Sequence, residues 1–244
     1  MLYFDWTLWL LAPALLFALW AQYKVRSSFQ RYSRVRASSG YTGAQLAREL
    51  LRRAEVTAQT QQVRGEAAAR ALGAVAIEMT PGQMTDHYDP RANVLRLSQP
   101  VYGSDSIAAL GIAAHEAGHA IQQAVGDRGM AIRAALVPLA QFGSTLAFPL
   151  FFIGLIFSAS GLRILMDVGI LLYIGAVAFT VMTLPVEYDA SHRALVLLRD
   201  GGFVSSDELR GVRRVLGAAA LTYVAAAAMA IMTLIRLLIL RGRD

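Results

Sequence analysis

Residues 168–186 read VGILLYIGAVAFTVMTLPV, and Glu187 follows at once. The run holds 19 residues and no charge. As a helix it rises about 1.5 Å per residue, close to the roughly 30 Å hydrocarbon core of a bilayer. Three more stretches have this character: residues 1–21, with Asp5 as the single charge, and the neutral residues 134–162 and 215–235. The expected architecture is a mainly α membrane protein with four transmembrane helices, at 1–23, 134–162, 165–186 and 215–238. The second is longer than a span needs and contains Pro138 and Pro149. A tilt, a kink or an interfacial start is expected there.

The composition agrees. Of 244 residues, 56% are apolar and 16% charged, and the mean hydropathy is +0.45. A disordered chain is excluded, and a water-soluble globule would have no place for the surplus apolar surface. Cysteine is absent, which excludes a disulfide scaffold and restricts any metal site to histidine and carboxylates.

The net charge is +6, which by itself suits nucleic acid or a membrane surface. Its distribution decides. Nineteen of 23 Lys+Arg lie in residues 24–133 and 187–214, which four spans place on one side. The positive-inside rule makes that side cytoplasmic, in a multi-pass protein of the cell inner membrane. No nucleic-acid partner is expected. Lys24, Arg26, Arg31, Arg34 and Arg36 follow the first apolar run, whereas a signal peptide carries its positive charge ahead of it. That order favours an uncleaved anchor, with Tyr3, Trp6, Trp9, Trp20 and Tyr23 at the interfaces. Asp167 and Arg236 lie near the outer ends of their spans; they either pair across the bundle or snorkel to the interface.

Residues 24–133 are long enough for a small α+β domain. The pattern predicts a helix over 42–54 with Thr42 as N-cap, a polar loop at 57–62, and an Ala-rich helix over 64–72 closed by Gly73. A strand follows at 74–79, then a hairpin pairing 84–88 with 94–98 around Asp89-Pro90-Arg91-Ala92-Asn93. Asp105 is the expected N-cap of a helix over 106–124, and Gly126 its stop. After the third span, Pro185 is expected to precede a separate helix over 186–199. Ser205-Ser206-Asp207-Glu208 has capping-box spacing for a helix leading into the fourth span.

The 106–124 helix contains His115-Glu116-Ala117-Gly118-His119. Two histidines at i and i+4 share one helix face and can reach one ion. Glu116 stands where it can polarise a water on that metal. The flanks are apolar, and two histidines and a glutamate buried among them without a partner would cost on the order of several kcal/mol. One Zn2+ per chain is the expected cofactor. A catalytic zinc takes a third protein ligand, for which His87, Asp89, Asp127, Glu187, Asp189 and His192 are candidates. Glu187 is preferred, because a charge at the end of a 19-residue neutral run needs a function or a counter-ion. Ser191, at i+4 from Glu187, shares its face and is placed to hydrogen-bond a zinc ligand.

His115–His119 together with Glu187-Tyr188-Asp189-Ala190 resembles the membrane gluzincin proteases of the HtpX-like and CAAX-prenyl-protease kind. Residues 184–191 (LPVEYDAS), 85–91 (TDHYDPR) and 94–98 (VLRLS) are closer still to the YugP-type neutral zinc metallopeptidases of bacteria. The resemblance covers Gln83 to Arg193 and the membrane layout. It implies zinc ligands at His115, His119 and Glu187, with Glu116 as general base. HtpX-like proteins carry Asp four residues after the ligand Glu, where this chain has Ser191.

The expected function is an integral membrane zinc-dependent endopeptidase acting on membrane or membrane-proximal proteins. The lipid bilayer and a protein or peptide substrate are its expected partners. Val94, Leu95, Arg96 and Leu97 are expected to form an edge strand that holds substrate, unless the hairpin serves only packing. His87, Tyr88 and Asp89 are candidates for the rim of the site, with turn chemistry the alternative for Asp89. His192 is the first candidate for oxyanion stabilisation, ahead of Tyr188, Tyr102 and His87. The rival functions are a membrane protein with a structural zinc, which would show four protein ligands, and a transporter.

Overall fold

The computed structural model describes residues 5–60 and 65–242. Residues 1–4 of the expected first span, Gln61 and Gln62 of the expected loop, and Arg64 of the expected third helix lie outside them. The chain forms two compact units: Met1–Tyr23, Ile132–Leu184 and Leu221–Asp244 in one, Lys24–Ala131 and Pro185–Ala220 in the other. Eight helices and three strands are labelled in chain order.

Four long helices contribute to the first unit: α1 (Ala12–Tyr32), which continues a 3-10 turn at Trp6–Leu11, α6 (Arg128–Ile156), α7 (Ile164–Asp200) and α8 (Ser206–Gly242). Three segments, Trp6–Tyr32, Ile164–Asp200 and Ser206–Gly242, are each long and apolar enough to cross a membrane. The second expected span, in α6, bends by 41° between Arg128–Pro138 and Ala140–Ile156, and among the described residues the count reaches four if the bent pair is one span. Pro138 accounts for the bend, since it has no N–H to donate and its ring crowds the preceding turn. The helix also stops earlier than expected. Ser158–Ser160 forms a 3-10 turn, and Gly161 takes a φ of 85° that suits glycine. Pro185, by contrast, sits inside a continuous α7 rather than ahead of a new helix.

The core of this unit gathers Ala147, Phe151, Met166, Ile170, Tyr173, Val177 and Leu237. A Cβ on Gly169 would lie 2.6 Å from the Ala147 carbonyl oxygen, so small residues let α6 and α7 approach closely. Asp167 and Arg236 do not pair with each other. Arg236 Nη2 donates to Asp5 Oδ2 at 2.7 Å and its Nε to Thr7 Oγ1 at 3.1 Å. Asp167 is taken by Arg241 Nε at 2.8 Å. In a low-dielectric bundle a paired charge is far cheaper than a bare one, and these partners lie within reach.

The second unit packs α2 (Gly43–Thr60), α3 (Gly65–Gly73), α4 (Gln99–Tyr102) and α5 (Ile107–Ala124) with a small sheet. The sheet order is β1 (Ala76–Thr80), β3 (Val94–Ser98), β2 (His87–Asp89). β3 pairs in parallel with β1, Ala76 opposite Val94, and antiparallel with β2, His87 opposite Arg96. The 94–98 strand is therefore the central strand. Its two sides are both occupied, and Val94, Leu95 and Leu97 are buried, so Val94, Leu95, Arg96 and Leu97 cannot take a substrate as an added strand.

α2 buries Leu46, Ala47, Leu50 and Leu51 at helical spacing and runs on to Thr60, into the expected loop, with Ala58 packed on the core. The same core cluster includes Leu95, Leu97, Leu110, Leu198 and Val212. α5 is capped by Ser106, whose Oγ accepts the Ala109 N–H at 3.2 Å. Asp105, the expected cap, pairs with Arg36 at 3.3 Å instead. Gly126 has the positive φ of a helix stop, 70°.

Candidate metal centre

α5 presents His115 and His119 one turn apart, their ring centroids 4.7 Å from each other. The second-unit half of α7 brings up Glu187, 2% exposed. Its Oε2 lies 3.3 Å from His115 Nε2 and 3.4 Å from His119 Nε2. Among the described residues this is the group of His, Asp and Glu side chains able to share a metal, its ligand atoms all within 4.8 Å of one another.

The donor set and the distances fit zinc. Ligand atoms about 2.0–2.1 Å from a tetrahedral ion stand about 3.3–3.4 Å apart. The same separations are long for charge-assisted hydrogen bonds, which run at about 2.7–2.9 Å. Two imidazoles and one carboxylate also leave a fourth position open, as hydrolytic zinc requires. The other ring nitrogens are engaged elsewhere. Ser191 Oγ is 3.1 Å from His115 Nδ1, and Gln122 Oε1 is 2.9 Å from His119 Nδ1. Both Nε2 atoms are thereby left to the site.

Close packing holds the two helices in this relation. A Cβ on Gly118 would lie 2.9 Å from the Ala190 carbonyl oxygen. The absence of a side chain at Gly118 therefore lets α5 and α7 approach as closely as the ligand distances require.

Glu116 follows His115 on α5 and is 8% exposed. Its Oε2 accepts the Tyr88 backbone N–H at 2.9 Å. Burial pushes its carboxyl above the ordinary carboxylate range; the His115 imidazole opposes this, and the Glu187 and Asp86 carboxylates add to it. Tyr88 is in β2, so the outer edge of this strand, not β3, points main-chain groups towards Glu116.

The remaining candidates lie elsewhere. Asp89 Oδ1 accepts the Arg91 and Ala92 N–H groups at 3.0 and 3.2 Å, and Oδ2 pairs with Arg96 at 3.0 Å; this is turn chemistry. Asp127 Oδ1 accepts the Met130 N–H at 2.9 Å, at the start of α6. His87 is exposed, with Nδ1 2.8 Å from the Thr85 carbonyl. His192 is exposed and outside the ligand group. Asp189 accepts from Gln122 rather than joining the ligands.

Tyr88, a rim candidate, meets the site through its main-chain N–H. Gln122 escapes the residue-by-residue reading; its one signal is a polar residue three positions after His119 on the helix that carries both histidines.

Comparison with known proteins adds the context. A family described as "Putative neutral zinc metallopeptidase" matches residues 7–242. The chain is 42% identical over 239 residues to the "Putative membrane protease YugP" of Bacillus subtilis (strain 168), covering 97% of this chain and 98% of that protein. No solved structure matches.

Proposed function

The chain belongs to the neutral zinc metallopeptidase family, and from that premise we propose an integral membrane zinc endopeptidase with Glu116 as general base. His115, His119 and Glu187 hold the ion. Bound zinc supplies Lewis-acid chemistry, lowering the pKa of water and polarising a carbonyl. Glu116 accepts the proton of the attacking water and returns it to the leaving amine. The Tyr88 N–H donates to Oε2 of that carboxylate at 2.9 Å and so orients it. Burial raises the proton affinity of Glu116 above that of an ordinary carboxylate, the direction that favours a proton acceptor.

Short extended segments of protein are the expected substrates. Glu187 is the third residue after Leu184, the last residue of the membrane-type unit in α7. This supports cleavage of membrane or membrane-proximal proteins. The basic bias of residues 24–133 and 187–214 supports a cytoplasmic site in the inner membrane.

The observation that carries the proposal is the convergence of Glu187 Oε2 on both imidazoles at 3.3 and 3.4 Å, with Glu116 beside them. Purified Glu116→Gln protein should keep its zinc and lose peptide hydrolysis by a factor of order 10²–10⁴. Hydrolysis at the wild-type rate would overturn the mechanism in which Glu116 is the base.

A further inference from the structure

Gln122 is fully buried at 0% exposure and lies on α5 one turn beyond His119. Its Nε2 donates to the Val186 carbonyl at 3.1 Å and to Asp189 Oδ2 at 2.7 Å. Two acceptors on the nitrogen side fix which end of the amide faces the histidine. That end is Oε1, 2.9 Å from His119 Nδ1. A carbonyl oxygen can only accept, so Nδ1 must carry a proton. The neutral ring then has its lone pair on Nε2, the atom 3.4 Å from Glu187 Oε2. Asp189 is in turn held by Arg193 Nε at 2.6 Å.

We infer that Gln122, oriented by Asp189, is a positioning residue that locks His119 in the Nδ1–H tautomer and so presents Nε2 to zinc. The inference rests on His119 being a zinc ligand. The arrangement has a chemical logic. A carboxylate in direct contact with His119 would add a third negative charge beside Glu116 and Glu187. A neutral amide gives the same directionality without it. The charge of Asp189 is kept one group further out, where its side chain is 40% exposed and faces Arg193. One turn of α7 thus supplies a ligand, Glu187, and two groups that bear on the ligand tautomers, Asp189 through Gln122 and Ser191 directly.

The test combines tautomer and affinity. Full-length protein in detergent, stripped of zinc and labelled with ¹⁵N-histidine, gives four ring systems, and His119→Ala identifies the relevant one. Zinc affinity is read by competition with a chromophoric chelator. In the wild type, His119 should be the Nδ1–H tautomer. Gln122→Leu should lose that preference and bind zinc about 10–100-fold more weakly. Asp189→Leu leaves the Val186 carbonyl as the one remaining acceptor named for Gln122 Nε2, weakens the hold on the amide and should act in the same direction to a smaller extent. Asp189→Asn keeps an acceptor for Gln122 and should restore both readouts, and this half-exposed pair remains informative if Gln122→Leu does not fold. Wild-type affinity or an unchanged tautomer in both Gln122→Leu and Asp189→Leu, with zinc lost in His119→Ala, would overturn the inference alone. Wild-type zinc binding by His119→Ala would overturn the ligand assignment and the inference with it.

Discussion

Gly118→Ala isolates how closely α5 and α7 must approach for the metal site to exist. The added Cβ would stand 2.9 Å from the Ala190 carbonyl oxygen, 3.5 Å from its Cα and 3.6 Å from its carbonyl carbon. All three are backbone atoms, so no side-chain rotation relieves the contact. An ordinary carbon–oxygen contact needs a few tenths of an ångström more, and α7 must move off α5 by about that amount. Overpacking of this kind costs about 1–3 kcal/mol, while replacing glycine by alanine inside a helix returns about 1 kcal/mol. The zinc-free protein should therefore lose only about 0–2 kcal/mol. The metal site is less forgiving, because ligand distances must hold to about 0.2 Å. Glu187 is three residues from Ala190 on the displaced helix, so both of its 3.3–3.4 Å separations from the histidines should widen. Zinc affinity should fall about tenfold or more, at about 1.4 kcal/mol per decade. Chelator competition measures the affinity, and thermal unfolding of the zinc-free protein measures the stability. Gly111→Ala is the control. Its Cβ meets the Val212 side chain at 3.0 Å, so it should disturb packing without moving a ligand. Equal zinc affinity in Gly118→Ala and wild type would refute the reasoning.

Further outcomes follow from the same geometry. Glu187→Ala should release zinc as completely as His119→Ala, and retention of stoichiometric zinc in purified Glu187→Ala would remove it from the ligand set. Burial raises the proton affinity of Glu116 in the folded state above the ordinary carboxyl value of 4.5, so its ionisation costs stability as pH rises through the folded value. Zinc-free Glu116→Gln should therefore melt higher than wild type at neutral pH, and the gap should close as pH falls towards 4.5; a gap that widens on acidification would contradict this. For orientation, a reporter active only outside the cytoplasm should work when inserted at Ser160, between α6 and α7, and stay silent at Gly202, between α7 and α8. The reverse pattern would invert the proposed topology.

The helices and the core of the site were legible for local reasons. An uncharged run of 19 residues needs no tertiary information to be read as a membrane helix. The i, i+4 spacing of His115 and His119 converts directly into a shared face. Glu187 announces itself as a charge at the end of a neutral run. Strand neighbours are different, because pairing joins residues distant in the chain. The parallel β1–β3 ladder puts Ala76 opposite Val94 across an intervening strand, so no hairpin signal reports it. The near-continuous apolar character of 94–97 was the one available sign of a central strand.

By itself the sequence determined the membrane-type helices, the histidine pair, the choice of zinc-type donors in a chain without cysteine, and the family. Only the tertiary structure decided that β2 rather than β3 borders Glu116, that Asp189 stands behind Gln122 rather than on the metal, and that the absence of a side chain at Gly118 lets α5 and α7 approach. Helix formation and i, i+4 geometry follow from dihedrals that each residue sets with its near neighbours. Strand order, the direction of a buried amide and the spacing of two helices are set by which distant atoms meet.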